Sequence, residues 1–216
     1  MGTMMDHNSA DTVDLLQRAR AGDRKALNTL FTRHRERLSR MVDLRLDRRL
    51  QARVDASDVI QDAYVEVVTR LDEYLRDPRL PFFLWLRLVV GERLMKLHRY
   101  HLGTQMRDAG LEVSLYRGAL PQASSAALAA QLLGRQTSPT QAAARAERVL
   151  RLQEALNTLD PVDREVLSLR HFEELTLAET AQVLGIEESA AAKRYVRALK
   201  RLKAVLAAMP GGLDGI

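Results

Sequence analysis

Residues 176–202 read TLAETAQVLGIEESAAAKRYVRALKRL. Thr176 and Glu179 have the spacing of a capping box, in which each side chain satisfies a backbone N–H that the first helical turn leaves unpaired. A short helix over residues 177–184 follows, and Gly185 ends it because glycine takes the left-handed conformation at no steric cost. After Ile186 a second helix starts three residues past the glycine. At about 100° per residue it places Lys193, Arg194, Arg197, Lys200 and Arg201 within an arc of roughly 120°. Ala191, Ala192, Tyr195, Leu199, Leu202 and Leu206 fall opposite, to pack against the preceding helices. Like charges at i,i+4, such as Lys193 and Arg197, cost an isolated helix a few tenths of a kcal/mol each, and an anionic partner relieves them. A capped short helix, the small Ala181, a glycine turn and a basic amphipathic helix together describe a helix-turn-helix, whose second helix enters the major groove of DNA.

The first residues of such a helix reach base edges, and here they are Ser189, Ala190, Ala191 and Ala192. Alanine meets a thymine methyl but donates no hydrogen bond. Direct reading therefore rests on Ser189, Lys193, Arg194 and Arg197, with much of the affinity drawn from phosphates, to which Lys200 and Arg201 add.

The whole chain has 216 residues, 46% hydrophobic and 28% charged, which is enough to bury two cores. A net charge of +5 and an isoelectric point near 9.8 favour an acidic partner, either nucleic acid or a membrane surface. The absence of cysteine excludes disulfides, thiolate chemistry and cysteine zinc sites. The most apolar run, residues 80–90, is interrupted by Arg87 and is too short for a membrane span, so no membrane insertion is expected. With no secretory leader pattern at the start, the expected location is cytoplasmic and nucleoid-associated.

The expected fold is all-α, with two helical domains joined by a flexible linker. Residues 1–10 read as a disordered arm. Residues 11–102 form a first domain of four helices, with turns at residues 21–23, 54–57 and 77–81. Residues 103–138 hold a PQASS stretch and a single short apolar patch at 126–133, and read as the linker. A flexible chain of that length spans roughly 30 to 35 Å on average. Residues 139–209 form the second domain and 210–216 a tail. Its helices start at caps: Ser138 with Pro139 and Gln141, then Asp160 with Pro161 and Asp163.

LDPVDREVLSLRHFEELTLAETAQVLGIEESAAAKRYVRALKRL, residues 159–202, resembles region 4 of a sigma-70-family factor of the extracytoplasmic-function (ECF) type, the part that reads the −35 promoter element. DASDVIQDAYVEVVTRLDEY, residues 55–74, resembles region 2.2, which docks on the clamp of the polymerase β′ subunit. PFFLWLRLVVGERLMKLHRYH, residues 81–101, resembles regions 2.3 and 2.4, which open and read the −10 element. The resemblance covers residues 11–101 and 139–206, and the KRYVRALKRL form is similar to that of planctomycete members. It implies a sigma factor, not an enzyme and without cofactor or metal. Its partners would be core RNA polymerase (β′ clamp and β flap), promoter DNA and, where one exists, an anti-sigma factor.

Read by periodicity, residues 55–71 form a helix whose core stripe is Val59, Ile60, Ala63, Tyr64, Val67 and Leu71. Asp58, Gln61, Asp62, Val65 and Thr69 are left on another face. An acidic face with one valine is a poor DNA surface and suits a protein partner, which the resemblance identifies as polymerase. In the next helix Phe82, Leu86, Val89 and Leu97 read as packing, while Arg87, His98 and Arg99 lie off that stripe and are assigned to DNA. Trp85 has two readings, a core indole or a side chain near melted DNA. The loop at residues 77–80 matches the family position that captures an unpaired base. Gly91-Glu92, Lys96 and Glu187 depart from the family pattern. An arginine-rich helix over residues 33–53, with eight arginines and three acids, reads as general attraction for DNA or as a solvated surface.

His98 and His101 have an i,i+3 spacing open to metal, but no further ligand set accompanies them. No phosphate-binding glycine loop or nucleophile-base pair appears. The alternative is a helix-turn-helix regulator that dimerises on an operator without being a polymerase subunit, and it requires two-fold-symmetric half-sites.

Overall fold

The computed structural model describes residues 10–102, 120, 122–133 and 139–208. Among these residues the protein is all-α, with nine helices and no strand. The chain divides into two compact units, one comprising Met1–Val42 and Leu46–Leu120, the other Asp43–Arg45 and Pro121–Ile216.

The first unit is built on α1 (Ala10–Arg20), all but the last three residues of α2 (Arg24–Arg45), α3 (Ala56–Arg76) and α4 (Phe82–Leu102). The α1–α2 turn needs Gly22, whose φ is 91°. Asp23 then caps α2 by accepting from the N–H groups of Lys25 and Ala26, and pairs with Arg18 at 2.7 Å. At the start of α3, Asp55 and Asp58 form a reciprocal capping box. Val59, Ile60, Ala63, Val67 and Leu71 of α3 are buried, as are Phe82, Leu86, Val89, Val90 and Leu94 of α4. Each of these side chains larger than alanine contributes about 1.5–3 kcal/mol of apolar transfer. Tyr64, expected in the core, lies at its edge, donating to Asn28 Oδ1 and meeting Phe31 edge-on at 4.9 Å.

The arginine-rich segment is not one helix to residue 53. Helix α2 stops at Leu46, whose backbone is extended, and residues 46–55 turn back toward α3. Asp47 drives the turn by accepting from the Arg49 N–H at 2.9 Å and gripping the Arg49 guanidinium. Arg49 beside it holds the Asp47 carboxyl down at about 2.

The second unit contains α5 (Ser125–Leu132), α6 (Pro139–Asn157), α7 (Pro161–His171), α8 (Leu177–Leu184) and α9 (Glu188–Ala208). Helix α5 corrects the expected domain boundary. The apolar patch assigned to the linker is a helix capped by Ser124, whose side chain accepts from the Ala127 N–H. Its Leu128 and Ala129 join Leu152, Ala155, Leu156, Leu159 and Leu167 in one core, and Arg164 of α7 donates to Ser125 Oγ at 2.9 Å. Helix α7 starts as expected, with Asp160 accepting from Val162 and Pro161 in the first turn. The expected Ser138 cap, residues 1–9 of the expected 1–10 arm, most of the linker, residue 209 and the 210–216 tail lie outside the described residues.

Candidate nucleic-acid interface

Helix α8 begins with both halves of its capping box formed. The Glu179 N–H donates to Thr176 Oγ1 at 3.1 Å, and the Thr176 N–H to Glu179 Oε2 at 2.8 Å. It ends at Gly185 in the left-handed region, φ 63° and ψ 38°. The Ile186 N–H reaches back to the Ala181 carbonyl at 3.0 Å, the closing bond of a Schellman turn. These local bonds redirect the chain within three residues and launch α9, in which the N–H groups of Ala190 and Ala191 return to the Glu187 carbonyl. Ala191, Ala198 and Leu206 are the buried side of α9. Lys193, Arg197, Lys200 and Arg201 are exposed, and with Ala192 and Val196 they line one shallow groove along the helix. Ser189 is exposed in the first turn.

Two expectations on this helix change. Arg194 is not a free member of the basic face: its Nη1 donates to Asp163 Oδ1 at 3.0 Å and lies 3.9 Å from Asp160 Oδ1, both at the start of α7. The Asp163 side chain is only 3% exposed, so this carboxylate is held inside the unit by one guanidinium. Leu199, expected to pack inward, is 36% exposed, and Ala198 takes the buried position. The helix is rotated so that a small residue allows close approach, and Val196, 49% exposed, joins the cationic groove.

In the first unit Asp58, Gln61, Asp62 and Val65 are all exposed on α3, as the spacing requires. Val65 is 63% exposed and Val68 48%. Helix α4 contributes cations along the border of this face: Arg93 pairs with Asp62 and Lys96 with Glu66 at 3.0 Å. Neither pairing was legible in the sequence, because α3 and α4 meet across roughly thirty residues of chain.

Helix α4 buries more than its periodicity suggested. Arg87 is 4% and His98 2% exposed, so both lie inside the unit instead of on a DNA-facing surface. His98 Nε2 accepts from the Asp47 N–H at 3.3 Å, and burial lowers its pKa below the ordinary imidazole value. Trp85, 7% exposed, stacks on Tyr74 with ring centres 4.6 Å apart and is a core indole here. Tyr74 in turn donates to the Leu80 carbonyl at 3.0 Å, which ties the exposed loop at residues 77–79 to that stack. Of the α4 candidates Arg99 is exposed, beside Tyr100 at 84% exposure, which residue type alone did not single out. Gly91 has a physical reason: a β-carbon there would lie 2.5 Å from Leu120 Cδ2.

A helix-turn-helix with a free cationic groove, accompanied by a helical unit whose exposed face is acidic and valine-bearing, defines a DNA-binding protein that also presents a surface suited to a protein partner. The family model "Sigma-70, region 4" matches residues 150–202. The chain is 30% identical over 183 residues to the ECF RNA polymerase sigma factor SigD of Mycobacterium tuberculosis, covering 85% of this chain and 78% of that one. It is 27% identical over 208 residues to the RNA polymerase sigma factor CnrH of Cupriavidus metallidurans, covering 94% and 97%. The solved structure of CnrH in complex with the cytosolic domain of CnrY superposes with a TM-score of 0.54 at 26% identity, over 94% of this chain and all of that one. The chain belongs to the ECF family of RNA polymerase sigma factors. Among its described residues no helix is long and apolar enough to cross a membrane.

Proposed function

We propose that the chain docks on the β′ clamp of core RNA polymerase through Asp58, Gln61, Asp62 and Val65, and reads promoter DNA through α9 at the −35 element and the α4 unit at the −10 element. The observation that carries this reading is a separation of surfaces. The second unit exposes Lys193, Arg197, Lys200 and Arg201, whereas α3 exposes acids around an uncovered valine. Duplex DNA repels the second surface and attracts the first. Within the first unit Arg99 is the direct DNA candidate. Trp85, Arg87 and His98 act from inside, by holding α4 and the loop at residues 77–80 in place. The second unit also meets the β flap. The protein works in the cytoplasm at the nucleoid, without turnover of its own. An anti-sigma protein is a further partner, by likeness to the CnrH complex with CnrY. The KRYVRALKRL string supports a planctomycete-like member of the family.

Reconstitution with core polymerase tests the reading. The chain should convert core enzyme to a form that starts transcription at discrete promoters, with upstream sequence in common near −35 and −10. Binding to DNA as a homodimer on symmetric half-sites, with no effect on core polymerase, would instead identify a dimeric regulator.

A further inference from the structure

Two adjacent residues of α9 reach opposite ends of α7. Arg194 meets the N-terminal acids Asp160 and Asp163, while the Tyr195 hydroxyl lies 3.1 Å from His171 Nε2 at the other end. The Arg170 guanidinium adds a cation over the Tyr195 ring, 5.5 Å from its centre. Successive side chains on a helix point about 100° apart, so neighbours diverge to separate anchor points. A helix held at one point can pivot about it. Held at two points a helix length apart, its crossing angle and its rotation are both set. The anchors differ in kind as well as place. Asp163 is buried, and a buried carboxylate stripped of its cation is strongly unfavourable, so the N-terminal anchor is stiff. The tyrosine–histidine contact is exposed and supplies direction at lower cost.

We infer that Arg194 and Tyr195 are positioning residues: together they brace the DNA-reading helix against α7, so base selection depends on side chains turned away from DNA. The brace rests on the reading of α9 as the promoter helix. It would give a helix whose first turn offers little beyond Ser189 a defined presentation to the groove. With few base-edge donors, discrimination depends on how accurately Ser189, Lys193 and Arg197 are presented. It also separates Arg194 from the cations with which its spacing groups it.

The test uses full-length wild type, Arg194→Gln, Tyr195→Phe and Arg197→Gln, each bound to core RNA polymerase. Each complex enriches binders from a pool of duplexes with a randomised segment, and affinity for the wild type's best binder is followed between about 50 and 200 mM salt. Arg197→Gln should flatten the log affinity–log salt slope by about 0.9, the loss of one phosphate contact. Arg194→Gln should leave the slope unchanged but lower enrichment of the best binder by about fivefold or more, the equivalent of losing one base-pair preference. Tyr195→Phe should lower enrichment in the same direction. Circular dichroism on each variant establishes that it is folded at the assay temperature. If Arg194→Gln fails that check, Tyr195→Phe decides: unchanged enrichment overturns the brace. A slope flattened by about 0.9 in Arg194→Gln would make Arg194 a phosphate contact and overturn it equally. Failure of the wild type to bind core polymerase or to enrich any sequence would instead sink the promoter-reading role, and the brace with it.

Discussion

Replacing Lys193, Arg197, Lys200 and Arg201 together by glutamine removes the four exposed cations of the α9 groove and leaves the Arg194 anchor in place. None of the four forms an ion pair among the described residues, so none loses an internal partner on mutation. Each phosphate neutralised by a protein cation contributes about −0.9 to the slope of log affinity against log salt. If all four reach phosphates, the wild type carries about −3.6 in slope that the variant lacks. Between about 50 and 200 mM salt that amounts to roughly 150-fold in affinity lost by the wild type and not by the variant, and to about 12-fold if only two make contact. Glutamine has nearly the helix propensity of lysine and arginine, and the change relieves the i,i+4 repulsions of Lys193 with Arg197 and Arg197 with Arg201, so the melting temperature should hold or rise slightly. Fluorescence anisotropy with a labelled duplex, read across the salt series for both proteins, measures the slopes. Parallel lines, with binding clearly detected for both, would refute the assignment of this groove to DNA.

Docking on polymerase is best probed at Gln61 and Val65, because Asp58 also caps α3 and Asp62 holds Arg93. Gln61→Lys with Val65→Asp should weaken pull-down of core polymerase while shifting stability by about 0.5 kcal/mol or less per exposed site; unweakened capture would move the docking face elsewhere. Asp58→Lys should cost about 1 kcal/mol of stability through its cap, which a urea melt would show independently of polymerase. Trp85→Ala should remove about 3–5 kcal/mol from the first unit, since the indole is buried against Tyr74; a normal melt with defective promoter opening would restore the DNA-contact reading. Stability should also fall in mild acid. Burial lowers the folded pKa of His98 below 6.5, so the unfolded chain takes up the proton first. Its contribution is complete above about pH 6.5 and is lost as pH drops toward the lowered folded value. His98→Asn should lose less melting temperature than the wild type between about pH 7.5 and 5.5; an equal loss would exclude His98 as a source.

What the sequence determined by itself rests on short-range chemistry. The Thr176–Glu179 box, the left-handed Gly185 and the Asp160 cap each satisfy backbone groups within a few residues, so their spacing was sufficient to place the helices and the helix-turn-helix. The same holds for the α3 face, where the period of 3.6 separated Val59, Ile60 and Ala63 from Asp58, Gln61 and Val65. Helix α5 was missed for a local reason: an eight-residue apolar helix beside proline, glycine and serine is too short for periodicity to distinguish it from a connector.

Tertiary structure alone decided which polar side chains turn inward. Arg194 and Asp163 are 31 residues apart, and His98 and Asp47 are 51 apart. No helical period links either pair: the buried Asp163 draws Arg194, still one-third exposed, toward α7, and the Asp47 N–H meets an imidazole packed inside the unit. Arg87, buried in α4, and Leu199, displaced outward by the close approach of Ala198, follow the same rule. A helix's rotation about its axis is set by the volumes of the residues it meets, and those come from elsewhere in the chain. The sequence alone could therefore locate a basic helix beside a glycine turn, but which of its cations are free for DNA depended on contacts made only after the unit had folded.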